Sequence, residues 1–102
     1  MVIAEVTVVP IGTESASISS YVAECHELLQ EQDRVEYELT PMGTVLEGKL
    51  SDILDLVEKL HEVPFASGAP RVSTTLKIDE RTDREANREQ KIESVQNKLN
   101  ED

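Results

Sequence analysis

Aromatic residues and cysteine are both scarce in this chain of 102 residues, and each scarcity excludes a class of protein. Tyr21, Tyr37 and Phe65 are the only aromatic residues, too few to stack the bases of single-stranded RNA. Cys25 is the only cysteine, so the chain forms no internal disulfide and no cysteine cluster for a metal. A single thiol within a helical pattern is typical of a small buried hydrophobe rather than a nucleophile.

Positive charge is also scarce, with 10 Lys and Arg residues against 21 Asp and Glu residues and a formal net charge of −11. Such a surface repels phosphate backbones and anionic lipids, so we expect neither nucleic acid nor a membrane as a partner. The same field favours a cationic ligand or a basic protein. The sequence also shows no basic leader segment and no apolar run near the roughly 20 residues of a membrane span, so we expect a cytoplasmic protein.

Motifs for cofactors and metals are missing as well. The four glycines are scattered among predicted turns and form no phosphate-binding loop. His26 and His61 fall in separate predicted helices, without a partner at metal-ligand spacing. The sequence therefore predicts no cofactor and no metal site.

Apolar periodicity predicts four strands and three helices. The predicted strands are Val2–Val9, Val35–Thr40, Thr44–Gly48 and Arg71–Asp79. The first predicted helix runs from Ser17 to about Gln32, and the third covers about residues 83–100. The second begins at a cap formed by Ser51 and Asp52 and ends at Pro64. Its apolar stripe is Ile53, Leu54, Val57 and Leu60. The order βαββαβ with an extra helix indicates an α+β, ferredoxin-like fold. We expect one domain over residues 1–102, with two helices on one face of an antiparallel sheet.

Two structural points stay open at this stage. The segments on either side of Gly43 form either a hairpin or one long bent strand with a bulge. The C-terminal helix has only the thin stripe Ile92, Val95 and Leu99, so it either docks on the domain or a neighbouring subunit, or remains a solvated tail.

The sheet face without helices is predicted to present Ile3 and Val9 beside polar residues. Such a face favours stacking against the sheet of another copy, so we expect a homo-oligomer, either a dimer or a tetramer. A small domain gains stability by burying a face in this way.

Two groups of charged residues lie within or next to predicted strands, and each has two possible roles. Glu5 and Glu47 stand among apolar strand residues, where they face either a pocket or a wet sheet surface. Arg71, Lys77 and Arg81 concentrate positive charge along and beyond the last strand, either for ion pairing or for contact with an anion.

Several segments resemble one known family. They are Pro10-Ile11-Gly12, the run from Tyr37 to Gly48 with Pro41-Met42-Gly43-Thr44 at its centre, Arg71 to Thr75, and Lys77 to Arg81. Together they are similar to the small thiamine-binding protein family, which is related to the YkoF-type thiamine/hydroxymethylpyrimidine-binding domain. The resemblance implies a ferredoxin-like subunit that assembles into dimers or tetramers through its sheets. It also implies that the protein binds thiamine or its pyrimidine moiety without a reaction.

The resemblance suggests a set of ligand-binding residues around Gly43. Tyr37 and Met42 would be flat or apolar contacts, Thr44 and Glu47 would bind the edge of the ring, Ser17 would close the other side, and Glu5 is a second candidate carboxylate. Two alternatives remain: a structural or regulatory protein-interaction module without a small ligand, and a hydrolase that uses Glu5 or Glu47. No pairing of nucleophile and base supports the enzyme, so we predict no catalytic residues.

Overall fold

The computed structural model describes residues 1–13, 19–83 and 88–100 of the chain. Its strands are β1 (Val2–Ile11), β2 (Glu36–Thr40), β3 (Gly43–Gly48) and β4 (Arg71–Asp79), and its helices are α1 (Ser19–Gln30), α2 (Leu50–Ala66) and α3 (Arg88–Asn100). The predicted order of elements is confirmed, and β4 has the predicted bounds.

The four strands form one antiparallel sheet in the order β2-β3-β1-β4. The first strand, β1, therefore lies in the middle of the sheet, beside the last strand, β4, which forms one edge. This is the ferredoxin-like arrangement predicted from the sequence. Strand β1 alternates between buried Val2, Ala4 and Val6 on the helix side and Ile3 and Glu5 on the other side. We call this other side the open face.

The core lies between the sheet and the two helices. It combines buried side chains of β1 and β3 with Leu29 of α1, Val35 before β2, and Ile53, Leu56, Val57 and Leu60 of α2. Leu46 and Ile53 are completely buried, and a buried aliphatic side chain of this kind contributes about 1.5–3 kcal/mol to folding. The core thus fixes α2 firmly on the sheet.

Helix α2 departs from its prediction at three points. It begins at Leu50 after Lys49, which caps it without a side-chain hydrogen bond, so the predicted caps at Ser51 and Asp52 are wrong. Leu56 is buried in place of the predicted Leu54, which is 45% exposed. The buried positions Ile53, Leu56, Val57 and Leu60 are three, four and seven residues apart, so they form one face of the helix, and Leu54 lies off this face.

Pro64 was predicted to end α2, but the helix continues to Ala66. A proline within a helix removes the hydrogen bond to the carbonyl four residues earlier, here that of Leu60. The thiol of Cys25 lies 3.9 Å from this carbonyl and donates a weak hydrogen bond to it. The helix therefore tolerates Pro64 partly because α1 supplies a substitute donor.

The segment around Gly43 forms a hairpin, which settles the choice that the sequence left open. Thr40 pairs with Gly43 across the two strands, leaving Pro41 and Met42 as a two-residue turn. The Thr40 hydroxyl donates to the carbonyl of Gly43 at 2.9 Å and accepts from the backbone N–H groups of Met42 and Gly43 at 3.3 and 3.1 Å. These bonds fix the turn locally.

Helix α3 keeps its apolar stripe in solvent. Ile92, Val95 and Leu99 are all exposed, with Leu99 at 70%. The side chain of Lys91 forms an ion pair with Asp79 at the end of β4. The stripe therefore does not dock on its own domain, and the prediction that it docks on a neighbouring subunit stays open.

Candidate functional site

A cavity of about 300 Å³ lies between α1 and the sheet, next to the β2–β3 turn. Its walls come from β1, α1, the β2–β3 hairpin and the second half of α2. This volume is at the lower end of the range for small-molecule sites, so the cavity fits a single ring system better than an extended ligand.

The packing of the two helices explains why space remains here. Helix α2 contacts β1, β3 and β4, whereas α1 makes its main contacts with α2. Strand β2 therefore lacks a helix packed closely over it, and Leu39 on that strand is 48% exposed. The cavity fills the gap that α1 leaves above β2 and the start of β3.

The lining of the cavity is mostly apolar and contains no Asp, Glu, Lys or Arg among the described residues. Val22, Leu39 and Met42 are the most exposed large apolar residues of the lining. Hydroxyl, thiol and imidazole groups on the helix side come from Tyr21, Cys25, His26 and Thr44. Thr7 and Thr40 also belong to the lining, but the strand register places their side chains on the open face. A concave apolar surface with a few polar groups is typical of a ligand-binding pocket.

The backbone at Gly43 forms the cavity edge and has no room for a side chain. A Cβ atom at this position would lie 2.8 Å from Oγ1 of Thr7 and 2.9 Å from the carbonyl oxygen of Val6. Both distances are below normal van der Waals contact. Glycine therefore lets the hairpin lie close against β1, which keeps Met42 and Thr44 at the cavity.

His26 lies on the cavity wall contributed by α1. Its ring meets that of Tyr37 edge to face, with the centroids 5.8 Å apart and the planes at 83°. Tyr37 in turn packs against the hydrophobic core. Tyr37 thus positions a lining residue, although it is not itself part of the lining.

Cys25 is half-buried in the same wall. Burial raises the pKa of its thiol, and the negative charge of Glu24 raises that pKa further. The thiol is therefore protonated at neutral pH and is a poor nucleophile. This agrees with the structural role predicted for Cys25.

The residues that the sequence assigned to the ligand site fall into three groups. Met42 and Thr44 line the cavity, and Tyr37 lies behind His26. Glu5 and Glu47 lie on the open face, because they alternate with the buried Ala4, Val6 and Leu46. Ser17 lies outside the described residues.

Glu5 and Glu47 differ in their exposure on the open face. Glu5 is exposed, whereas Glu47 is only 7% exposed, with Ile3 opposite it on β1 and Glu36 opposite it on β2. Neither carboxylate lines the cavity. Contact of either residue with a ligand remains a prediction, for a ligand bound on the open face.

The basic residues of β4 and of the segment after it follow the ion-pairing interpretation in part. Arg81 forms a bidentate ion pair with Asp83, with distances of 2.7 and 2.6 Å, and Lys77 stands opposite Glu5 in the register of β1 and β4. Arg71, at the start of β4, is exposed on the open face, in register with Ile11. Charge of both signs is thus distributed over this face.

Sequence reasoning missed the α1 wall of the cavity. Val22 and Cys25 belong to the predicted apolar stripe. Tyr21 lies four residues before Cys25, and His26 lies four residues after Val22. This spacing could have placed them on the buried side of α1. What the sequence could not show is that this side faces a cavity rather than a packed core.

The described part of the chain contains neither a membrane-spanning helix nor a cluster of metal ligands. No helix there is long and apolar enough to cross a membrane. No group of three or more His, Cys, Asp or Glu side chains is placed to hold a metal ion within residues 1–13, 19–83 and 88–100.

Comparison with known proteins gives consistent matches along almost the whole chain. The family described as Thiamine-binding protein matches residues 4–96. The UPF0045 protein YqgV of Bacillus subtilis is 46% identical over 102 residues, which cover 97% of this chain and 98% of that protein.

Solved structures match in the same way. The crystal structure of the hypothetical protein MJ1052 from Methanocaldococcus jannaschii has a TM-score of 0.81 at 39% identity, covering 92% of this chain and 94% of that one. A domain of unknown function, DUF77, from Bacillus cereus has a TM-score of 0.78 at 32% identity, covering 89% and 86%.

Proposed function

Because the chain belongs to the thiamine-binding protein family, we propose that it is a cytoplasmic, non-catalytic protein that binds thiamine or its hydroxymethylpyrimidine moiety. The binding site in this proposal is the cavity beneath α1. The observation that supports it most directly is the lining, which is apolar, concave and interrupted by a few hydrogen-bonding side chains. Such a surface matches a flat ring with polar groups on its edge.

The hairpin turn and α1 form the two sides of the proposed slot. Met42 and Leu39 contribute exposed apolar side chains from the hairpin, and Val22 contributes one from α1. A ring bound between them would cover apolar surface that otherwise contacts water, which contributes about 25 cal/mol per Å² of buried area. The driving force for binding is thus mainly hydrophobic.

Thr44 is the best-placed hydroxyl for the edge of the ring. Its side chain lies on the helix side of β3, in register with Val6 and Leu39, and lines the cavity. The other hairpin hydroxyl, that of Thr40, is already engaged in three hydrogen bonds of the turn. Thr44 therefore binds the ligand in this proposal, while Thr40 holds the turn.

The neutral lining also bears on the cationic part of thiamine. With no carboxylate among the described lining residues, the cavity gives the charged thiazolium ring no ion partner. The net charge of −11 still attracts a cation over a distance. We therefore assign the pyrimidine ring to the cavity and leave the thiazolium ring towards the solvent.

Assembly is the second part of the proposal, with another copy of the chain on the open face. The central strands present Ile3, Val9 and Val45 there, between acidic side chains of β2 and basic side chains of β4. If the two-fold axis lies along the strands, β4 of one copy lies over β2 of its partner. This arrangement places positive charge over negative charge and apolar residues over apolar residues.

A thermal-shift titration followed by calorimetry tests the binding function. Thiamine and hydroxymethylpyrimidine should raise the melting temperature in a saturable way, because a ligand of the folded state stabilises it by mass action. The variant Val22→Trp, which fills the mouth of the cavity, should abolish the shift. The matched control Val95→Trp, on exposed α3 away from the cavity, should keep it.

The titration also separates the binding protein from the protein-interaction module. Absence of a shift with every one of these compounds in the wild-type protein would rule out the proposed ligands. Equal shifts in the wild-type protein and Val22→Trp would mean that binding takes place outside the cavity.

A further inference from the structure

The two histidines of this chain are in opposite states of hydrogen bonding. Nδ1 of His61 lies 2.7 Å from the hydroxyl of Thr74. Nδ1 of His26 is buried and has no hydrogen-bond partner among the described residues. His26 is also the one of the two that lines the cavity.

A buried nitrogen without a partner destabilises the free protein, because it has lost its hydrogen bond to water without a replacement. The neighbouring Tyr37 meets the imidazole ring edge to face and forms no conventional hydrogen bond with Nδ1. An alanine or leucine at position 26 would avoid this cost. The imidazole is thus explained more readily by binding than by packing.

We infer that His26 determines the ligand specificity of the cavity, by forming a hydrogen bond with the nitrogen-bearing edge of a heteroaromatic ligand. This inference rests on the proposed function and names a residue that sets its selectivity. The inference requires that the ring turns about the Cβ–Cγ bond, a torsion with a broad minimum, so that the buried Nδ1 faces the ligand. The ligand then satisfies the nitrogen that the free protein leaves without a partner.

The chemistry of imidazole suits an aminopyrimidine. In its neutral form, Nδ1 either donates or accepts a hydrogen bond, depending on the tautomer. It therefore matches a ring nitrogen in one tautomer and an exocyclic amino group in the other. A hydrocarbon ring of the same outline offers neither group and leaves the nitrogen unsatisfied.

The test compares two ligands on three proteins by calorimetry. The ligands are hydroxymethylpyrimidine and dimethylbenzyl alcohol, in which methyl and C–H groups replace the amino group and the ring nitrogens. The proteins are wild type, His26→Phe, which keeps a ring without nitrogen, and His26→Asn, which keeps a polar atom near the position of Nδ1. Melting temperatures of the free proteins are measured in parallel.

The wild-type protein should prefer the pyrimidine by about tenfold or more, and His26→Phe should reduce this preference by about tenfold. His26→Asn should retain part of the preference. Free His26→Phe should melt at the same temperature as wild type or higher, because it removes an unsatisfied group. A purely structural histidine would show the reverse: a lower melting temperature and an unchanged preference.

Each outcome bears on a distinct claim. If wild type binds the pyrimidine and the preference is the same in wild type and both variants, the role of His26 is wrong while the proposed function stands. If wild type binds neither ligand, the inference fails, and the proposed function fails with it when thiamine does not bind either. If His26→Phe does not fold, the comparison of wild type with His26→Asn decides, with equal preference counting against the inference.

Discussion

The hydroxyl of Thr7 on β1 donates a hydrogen bond to the backbone carbonyl of Met42, 3.2 Å away in the β2–β3 turn. Gly43 lies directly beside this contact, and a side chain there would collide with Thr7 and with the carbonyl of Val6. The bond joins the tip of the hairpin to the central strand. It thereby fixes the position of Met42 at the cavity.

The variant Gly43→Ala should therefore lose stability. Its methyl group would force the hairpin away from β1, and such overpacking typically costs about 1–3 kcal/mol of unfolding free energy. Urea denaturation measures the loss, with Ser73→Ala on the open face as a control that should change stability by less than about 0.5 kcal/mol. Equal stabilities of the two variants would contradict the close contact.

Thr44→Val should weaken the binding of hydroxymethylpyrimidine by about three- to tenfold, because valine keeps the shape of threonine and removes one hydrogen bond to the ligand. Thr75→Val makes the same change on the open face, where Thr75 stands opposite Thr7, and should leave the affinity unchanged. Calorimetry on both variants checks the assignment. A loss of affinity in Thr75→Val alone would move the site to the open face.

The rate at which the Cys25 thiol is alkylated should show whether a ligand occupies the cavity. Since burial and Glu24 raise the pKa of its thiol, iodoacetamide at pH near 7.5 should react with it more slowly than with free cysteine. Saturating hydroxymethylpyrimidine should slow the reaction further, because the ligand covers the wall that contains Cys25. Mass spectrometry follows the modification, and a rate that is the same with and without bound ligand would place the ligand elsewhere.

Charge reversal tests the proposed stacking of two copies. Lys77→Glu on β4 should weaken the assembly, and Glu38→Lys on β2 in the same chain should restore it, because the proposed two-fold axis places these two positions opposite each other. Sedimentation velocity in low salt measures the oligomeric state. Lys59→Glu, on the exposed side of α2, changes the net charge equally and should have no effect.

The charge reversals also distinguish the orientation of the two sheets. If Lys77→Glu dissociates the assembly and Glu38→Lys fails to restore it, β4 does not lie over β2 of the partner. A wild-type protein that sediments as a monomer at every concentration would contradict stacking altogether.

Local patterns were sufficient for most of the fold. The alternation from Arg71 to Asp79 gave the bounds of β4, because one face of that strand contacts the core and the other contacts water. The order of elements gave the ferredoxin-like topology. Patterns failed at the start of α2, where the helix is capped by Lys49 without a side-chain hydrogen bond and buries Leu56 instead of Leu54.

The candidate site was predictable only in part. The motif around Gly43 pointed to Met42 and Thr44, since both belong to one short hairpin. The same motif grouped Glu47 with them, although three residues along a strand place a side chain on the opposite face. The contribution of His26 depends on α1, which is distant in sequence, and no local pattern relates it to the hairpin.

The sequence by itself thus determined the order of the strands and helices, the alternation of β2 and β4 between two faces, and the acidic character of the chain, because these follow from local alternation and composition. The tertiary structure decided that α1 leaves a cavity above β2, that His26 and Thr44 meet there, and that Glu5 and Glu47 do not. The physical reason is that a cavity depends on how far a helix lies from a sheet. That distance is set by the packing of α1 on α2 and of α2 on the sheet, not by any residue that lines the space.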